Sequence, residues 1–205
     1  MKVSHLEVLV EEPSAEAAFR ILLPKMLGGA SFAVYAHSCK HDLLKRLPER
    51  LRGYASWLPD DWRIVVVVDR DDDDCANLEK RLEAMAAEAS LTTKSKSQSK
   101  HFAVVNRLAV EELEAWYFGD WKAVQQAYPN VNANIPAQAK YRASDHIKGG
   151  TWEAFERVMK ASGYFKTGLR KIEVARAVAE HMEPSRNTSP SFRALRDALK
   201  EMVAA

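Results

Sequence analysis

The chain has 205 residues, of which 47% are hydrophobic and 28% are charged. This balance is typical of a domain that buries its own core, and it excludes a disordered or collagen-like chain. Lys and Arg number 30 against 28 Asp and Glu, so the net charge of +2 does not by itself indicate a polyanionic partner. The acidic residues are nevertheless concentrated, because positions 69 and 71–74 all hold aspartate.

The cysteine content and the N-terminal segment indicate the cellular compartment of the protein. Cys39 and Cys75 are too few for a disulfide framework in a chain of this length, so we expect free thiols. The first residues run directly into a strand pattern, and no apolar stretch approaches the ~18 residues that a membrane span needs. We therefore expect a cytoplasmic protein without a membrane partner.

Strand and helix patterns alternate along residues 1–128. Apolar and β-branched runs predict strands at 3–10, 31–36, 64–68 and 102–110, and helical spacing predicts helices at 15–23, 43–58, 74–89 and from 111. We expect Pro48 to break the second helix. The continuous β-branched run at 64–68 is typical of a strand that is covered on both faces. The order predicts an α/β fold with a mainly parallel, Rossmann-like sheet flanked by helices.

The remaining residues, 129–205, predict a helical C-terminal extension. Residues 128–148 are rich in Pro and Asn and indicate an irregular loop, and helices follow at 151–162, 171–182 and 190–203. We expect this extension to pack on the 1–128 core as part of one compact unit.

Acidic residues follow three of the predicted strands. Glu11 follows the first, Asp69 and Asp71 the third, and Glu112 and Glu114 the fourth. Ligands of open parallel sheets bind at these strand ends, and Mg²⁺ or Mn²⁺ prefers carboxylate oxygens. Two like charges at ~4 Å repel by about 4 kcal/mol at an effective dielectric of about 20, a penalty that a cation removes. The pattern thus indicates a metal or phosphate site.

Structural interpretations of the same acids remain open. Asp73 and Asp74 stand where a helix cap is expected, and Glu111, Glu112 and Glu114 can interact with a helix dipole in the first turn. The neighbouring His37, Cys39 and His41 lack a fourth ligand, so we interpret their proximity as incidental.

Cationic residues offer a surface for a nucleic-acid backbone. Lys94, Lys96 and Lys100 lie in a polar stretch that is equally typical of a solvated loop. Lys148 and Lys166 extend that surface as candidate substrate-binding residues, together with Arg170 and Lys171.

Several familiar α/β families fit less well. A phosphotransfer receiver needs Ser or Thr after the fourth strand, where Glu111 stands, and a haloacid-dehalogenase-type phosphatase needs Thr or Val where Asp73 stands. Neither G-x-x-x-x-G-K-[ST] nor G-x-G-x-x-G occurs, which removes the main support for nucleotide-binding folds.

The strand-end acids resemble those of the Toprim fold, the metal-binding module of topoisomerases, primases and OLD-type nucleases, in which a glutamate follows the first strand and Asp-x-Asp the third. More narrowly, VEEPSAE at 10–16, VDRDDDDC at 68–75 and ELEAW at 112–116 resemble V-E-G-x-[ST]-[DE]-E, D-x-D-x-D-D-C and E-x-E-A-W of a bacterial Toprim-like family, domain of unknown function family 4276. The segments GGTW at 149–152 and GYFK at 163–166 are also similar to its C-terminal part. Glu12 departs from the pattern, since the family often has Gly there.

The resemblance implies a role for each matching residue. Glu11 becomes a general acid/base or metal-organising carboxylate, Asp69 and Asp71 become ligands of Mg²⁺ or Mn²⁺, and Glu114, with its neighbour Glu112, becomes a second-site ligand. The implied function is metal-dependent cleavage of nucleic-acid phosphodiesters. The alternative that it implies is a non-catalytic partner or sensor that works with an ATPase.

Overall fold

The computed structural model describes residues 2–70, 74–98, 101–109 and 112–204. Within them, four strands form one sheet in which every pairing is parallel. The strands are β1 (His5–Val10), β2 (Ser31–Ala36), β3 (Trp62–Asp69) and β4 (Val104–Ala109). Their order across the sheet is β2-β1-β3-β4, so β1 and β3 are the central strands. The predicted α/β class and the parallel sheet are confirmed.

Helices cover both faces of this sheet. Those in the described residues are α1 (Pro13–Leu22), α2 (Lys40–Ala55), α3 (Cys75–Glu88), α4 (Leu113–Gly119), α5 (Trp121–Ala127), α6 (Thr151–Ala161), α7 (Lys171–His181) and α8 (Pro190–Ala204). None of them is both long and apolar enough to cross a bilayer.

The side chains of β3 point alternately to the two faces of the sheet, and each face has its own buried cluster. Ile64, Val66 and Val68 pack with α2 and α3 in one buried cluster, whereas Val65 and Val67 face a larger cluster with α1 and the helices from α4 onwards. The strand is therefore buried on both faces, which explains its unbroken β-branched run.

Pro48 lies inside α2 and does not end it, so the expected break is wrong. A proline in a helix interior costs about 3 kcal/mol because it removes an N–H donor. Leu44, Leu47 and Leu51 are buried before and after it, and their contacts with the sheet hold the helix together across the proline.

The C-terminal helices share the larger core with the sheet. The helix α7 packs along α1, and its residues Val174 and Val178 belong to the same buried cluster as Val8 of β1. The division of the chain at residue 128 stays a prediction.

The buried carboxylate of Asp145 also holds the first turn of α8 by hydrogen bonds. Asp145 accepts a 2.6 Å hydrogen bond from Ser189 Oγ and a 2.7 Å bond from the backbone N–H of Ser191, in the first turn of α8. The loop before α6 is irregular, as predicted, but it is thus tied to α8 by a polar contact that the sequence pattern did not indicate.

Candidate functional site

The ends of the two central strands bring Glu11 and Asp69 together. Glu11 follows β1, Asp69 ends the adjacent β3, and the backbone N–H of Asp69 donates a 3.1 Å hydrogen bond to Glu11 Oε2. Only 8% of Asp69 is exposed. Parallel neighbours end at the same edge of a sheet, so a pair 58 residues apart in sequence meets there.

The aspartate run is described only in part. Asp74 accepts a 2.9 Å hydrogen bond from the backbone N–H of Asn77 and caps α3, which confirms that expectation. Asp71, Asp72 and Asp73 lie outside the described residues, as does Glu111. The metal-binding role of Asp71 therefore stays a prediction.

Glu112 joins two helices. It directly precedes α4, and its Oε2 accepts hydrogen bonds from Thr151 Oγ1 at 3.0 Å and from the backbone N–H of Trp152 at 2.8 Å. Those donors belong to the first turn of α6, whose N–H groups lack partners within the helix. Burial raises the pKa of Glu112, and the hydrogen bonds from Trp152 and Thr151 oppose that rise. Glu112 thus caps α6 from outside it.

Glu114 lies deeper, in the first turn of α4. Only 2% of this residue is exposed, and its Oε2 is buried without a hydrogen-bond partner among the described residues. Burial raises the pKa of Glu114 to about 7; Lys171 lowers it, and Glu112 and Glu12 raise it further. The charges of Lys171, Glu112 and Glu12 thus affect the protonation of Glu114.

Lys171 is a cation whose charge affects the pKa of Glu112 and Glu114 and which pairs with Glu12. It is the first residue of α7, its Nζ lies 3.4 Å from Glu12 Oε2, and it lies over the ring of Trp152 at 5.3 Å. Burial lowers the pKa of Lys171, but the carboxylates of Glu114, Glu12 and Glu112 outweigh that effect, so the pKa is raised. The sequence pattern predicts only a general basic surface that includes Lys171, and it does not indicate this position beside the acids.

The charges of both groups of acids affect the buried hydroxyl of Tyr117. Tyr117 lies one helical turn after Glu114, is 1% exposed, and its hydroxyl has no hydrogen-bond partner in the described part of the chain. Burial raises the pKa of Tyr117 strongly, and the nearby charges of Glu114, Glu12 and Asp69 add to the rise. We call the set comprising Glu11, Glu12, Asp69, Glu112, Glu114, Tyr117 and Lys171 the acidic site.

The predicted substrate-binding lysines are surface residues. Lys148, in the loop before α6, and Lys166, in the turn before α7, are exposed, and none of the described hydrogen bonds or ion pairs links them to the acidic site. Lys94 forms an ion pair with Glu201 of α8, and Lys100 is outside the described residues. Substrate binding by Lys148 and Lys166 stays a prediction.

The donor chemistry of the site suits a hard divalent cation. Its oxygens are carboxylates, and one of them, Glu114 Oε2, is buried without a partner. Among the described residues, no three His, Cys, Asp or Glu side chains are grouped closely enough to hold a metal ion. Glu11 and Asp69 would therefore need Asp71, beyond those residues, to complete a ligand set.

The fold and the site define a class: an α/β protein whose central parallel strands end beside an acidic site to which Lys171 also belongs. Residues 10–200 match the family described as Domain of unknown function (DUF4276), and the chain belongs to that family. The family expected from the motifs is confirmed. No curated protein and no solved structure matched the chain.

Proposed function

We propose that this chain is a Toprim-like, divalent-metal-dependent phosphodiesterase that acts on nucleic acid. The observation that carries the proposal is the meeting of Glu11 and Asp69 at the C-terminal ends of adjacent parallel strands. Asp69, with Asp71 two residues later, would hold Mg²⁺ or Mn²⁺.

Each part of the site has a task in this reaction. When bound, the metal ion supplies a Lewis acid that polarises the phosphoryl oxygen and lowers the pKa of the attacking water. Glu11 would accept a proton from the attacking water and return it to the oxygen that departs when the P–O bond breaks. The hydrogen bond from the Asp69 N–H holds the Glu11 carboxylate in one orientation. Glu11 Oε2 accepts this bond from a backbone donor, so its position depends on the sheet and not on a mobile side chain.

The nucleic-acid substrate has to be held locally. A net charge of +2 provides little long-range attraction for a polyanion. The bound ion and nearby lysines would therefore have to contact the phosphate backbone of the nucleic acid. Lys148 and Lys166 remain candidates for that role. The free thiols of Cys39 and Cys75 fit a cytoplasmic location, where such substrates occur.

A second candidate function is a non-catalytic Toprim-like module that senses or scaffolds, together with an ATPase partner. Glu112 favours it, because the carboxylate already caps α6 through two hydrogen bonds and so has a structural role. The low net charge also favours it over a nuclease.

Cleavage assays separate the two functions. Plasmid and single-stranded DNA or RNA are incubated with the full chain and Mg²⁺ or Mn²⁺, alongside the Glu11→Gln variant and a Glu49→Gln control on the exposed side of α2. The enzyme predicts cleavage that falls by about 10²–10⁴-fold in Glu11→Gln and is unchanged in Glu49→Gln. Metal binding without cleavage of any substrate would support the partner module instead.

A further inference from the structure

The first residues of β1 and β2 take part in a chain of hydrogen bonds that is separate from the acidic site. Ser31 Oγ lies 2.7 Å from His5 Nδ1, and His5 Nε2 lies 3.0 Å from Glu7 Oε1. His5 and Ser31 are register partners in adjacent strands, and Glu7 follows His5 by two residues on the same face of β1. The three side chains therefore meet at the end of β1 that lies about 20 Å from Glu11.

Glu7 sets the orientation of the imidazole. Only 4% of Glu7 is exposed, and its Oε2 accepts a 2.5 Å hydrogen bond from the Tyr54 hydroxyl. An ionised carboxylate only accepts hydrogen bonds, so a neutral His5 ring carries its proton on Nε2 and donates it to Glu7 Oε1. The lone pair of His5 Nδ1 is then available to the hydroxyl of Ser31.

The serine end of this chain is open to solvent, whereas the carboxylate end is not. Ser31 is exposed, but only 13% of the His5 side chain and 5% of the Glu7 side chain are exposed. Ser31 Oγ also lies 3.1 Å from Ser4 O, so His5 Nδ1 is the closer of these two acceptors. A small molecule can therefore reach the hydroxyl while the imidazole is held from below.

Aromatic side chains continue the surface on the other side of the imidazole. The centroids of the His5 and Trp62 rings lie 4.0 Å apart, and Trp62 in turn contacts Trp57 at 5.8 Å. Trp57 is 54% exposed. These rings offer apolar area that favours an apolar or aromatic ligand beside His5.

We propose that Ser31, His5 and Glu7 form a Ser-His-Glu relay that makes Ser31 a nucleophile toward activated aryl esters. The relay has the two contacts that define such a nucleophile, one from the serine to its base and one from the base to a carboxylate. The backbone N–H of Ser31 already donates to Ser4 O at 2.9 Å, so it does not serve an oxyanion, and the activity is limited to esters with a good leaving group. The relay shares no residue with the acidic site, so this inference does not depend on the proposed function.

The reaction transfers the acyl group first to Ser31 and then to water. Ser31 Oγ attacks the carbonyl carbon of the ester, and the hydroxyl proton passes to His5 Nδ1. The bond from that carbon to the phenolic oxygen breaks, and the phenol departs with the proton from His5. Water then attacks the acyl-serine, gives a proton to His5 and releases the carboxylic acid, while Ser31 Oγ recovers that proton.

Hydrolysis of p-nitrophenyl acetate by the full chain tests the proposal, with EDTA present so that metal-dependent hydrolysis does not contribute. We expect Ser31→Ala to reduce hydrolysis to the uncatalysed rate and His5→Gln to lower the catalysed rate by about 10²-fold. Mass spectrometry after an acid quench should find the acetyl group on Ser31. Ser56→Ala is the matched control and should leave the rate unchanged, because this exposed serine donates its hydroxyl to a backbone carbonyl, that of Gly53.

Two results would overturn the inference and leave the metal-dependent function untouched. One is a wild type that hydrolyses the ester no faster than a folded Ser31→Ala variant, with folding established by circular dichroism. The other is acetylation of Ser31 that is no faster than acetylation of Ser56. Conversely, ester hydrolysis at Ser31 without cleavage of nucleic acid would support this inference and refute the proposed function.

The role of Glu7 is to position His5, and it has its own measurement. Nitrogen-15 NMR of the His5 ring should show the proton on Nε2 in the wild type and on both nitrogens in turn in Glu7→Gln, with slower hydrolysis. This measurement remains decisive on the wild type alone if a variant does not fold. A wild-type neutral ring that carries its proton on Nδ1 would contradict the relay, because Nδ1 could not then accept the proton of Ser31.

Discussion

The backbone amide of Asp69 lies 3.1 Å from the carboxylate of Glu11 and donates a hydrogen bond to it. This bond crosses from the end of β3 to the residue after β1, at the edge where parallel sheets bind ligands. The first prediction concerns metal binding at this pair.

Replacing Asp69 and Asp71 with Ala should weaken Mn²⁺ binding by about tenfold or more, equivalent to at least ~1.4 kcal/mol, because it removes two anionic ligands. Calorimetry measures the affinity. Asp60→Ala is the control, since this exposed residue precedes β3 at the opposite end of the sheet. Binding equal to that of the wild type would show that the metal site lies elsewhere.

Glu114 should make the protein less stable as the pH rises. Its pKa of about 7 exceeds the ordinary value of 4.5, so between these values the folded state binds more protons than the unfolded state. Its contribution is therefore most favourable below pH 4.5 and declines by about 3 kcal/mol as the pH approaches and passes 7. Urea denaturation at several pH values, without metal, measures this slope.

The Glu114→Gln variant should lose that part of the pH dependence and be more stable than the wild type at pH 8. Glu156→Gln serves as the control, because the ion pair with Lys160 lowers the pKa of this surface carboxyl. It should retain the decline of stability with pH. A decline of equal size in Glu114→Gln would assign the effect to another group.

A buried hydrogen bond on the α2 side of β1 should contribute to stability. The Tyr54 hydroxyl donates a 2.5 Å hydrogen bond to Glu7 Oε2, and Glu7 is 4% exposed. Tyr54→Phe should cost about 1–3 kcal/mol, because it leaves a buried carboxylate short of a donor.

Tyr128→Phe is the matched control for that substitution. The Tyr128 hydroxyl is buried without a partner among the described residues, so its removal should change the free energy of unfolding by less than Tyr54→Phe does. Chemical denaturation compares both variants with the wild type. Equal losses would contradict a specific contribution from the pair of Tyr54 and Glu7.

Substitution by alanine should change the stability in opposite directions at two glycines. A Cβ at Gly119, the last residue of α4, would come within 2.7 Å of the backbone nitrogen of Ser189, so Gly119→Ala should cost about 1–3 kcal/mol or prevent folding. A Cβ at Gly53, within α2, meets nothing within 4 Å, and Gly53→Ala should gain about 0.5–1 kcal/mol through helix propensity. Thermal melts of both variants check the signs; stabilisation by Gly119→Ala would contradict the close packing of α4 against the segment before α8.

The sequence alone determined the features that depend on local patterns. The β-branched run of β3, the bounds of β2 and the cap at Asp74 follow from side-chain periodicity and from the needs of a helix N-terminus. The positions of Glu11 and Asp69 at strand ends were predictable for the same reason, and parallel pairing then implied that they meet. The motifs also sufficed to predict the family.

Only the tertiary structure decided which distant groups share the acidic site. Lys171 reaches Glu12 across 159 residues because α7 packs along α1, and Glu112 caps α6 because that helix begins beside α4. The continuity of α2 through Pro48 likewise depends on leucine side chains that are buried against the sheet. Periodicity along one segment carries no information about which helices will pack together, so contacts of this kind are fixed by the packing of the whole core.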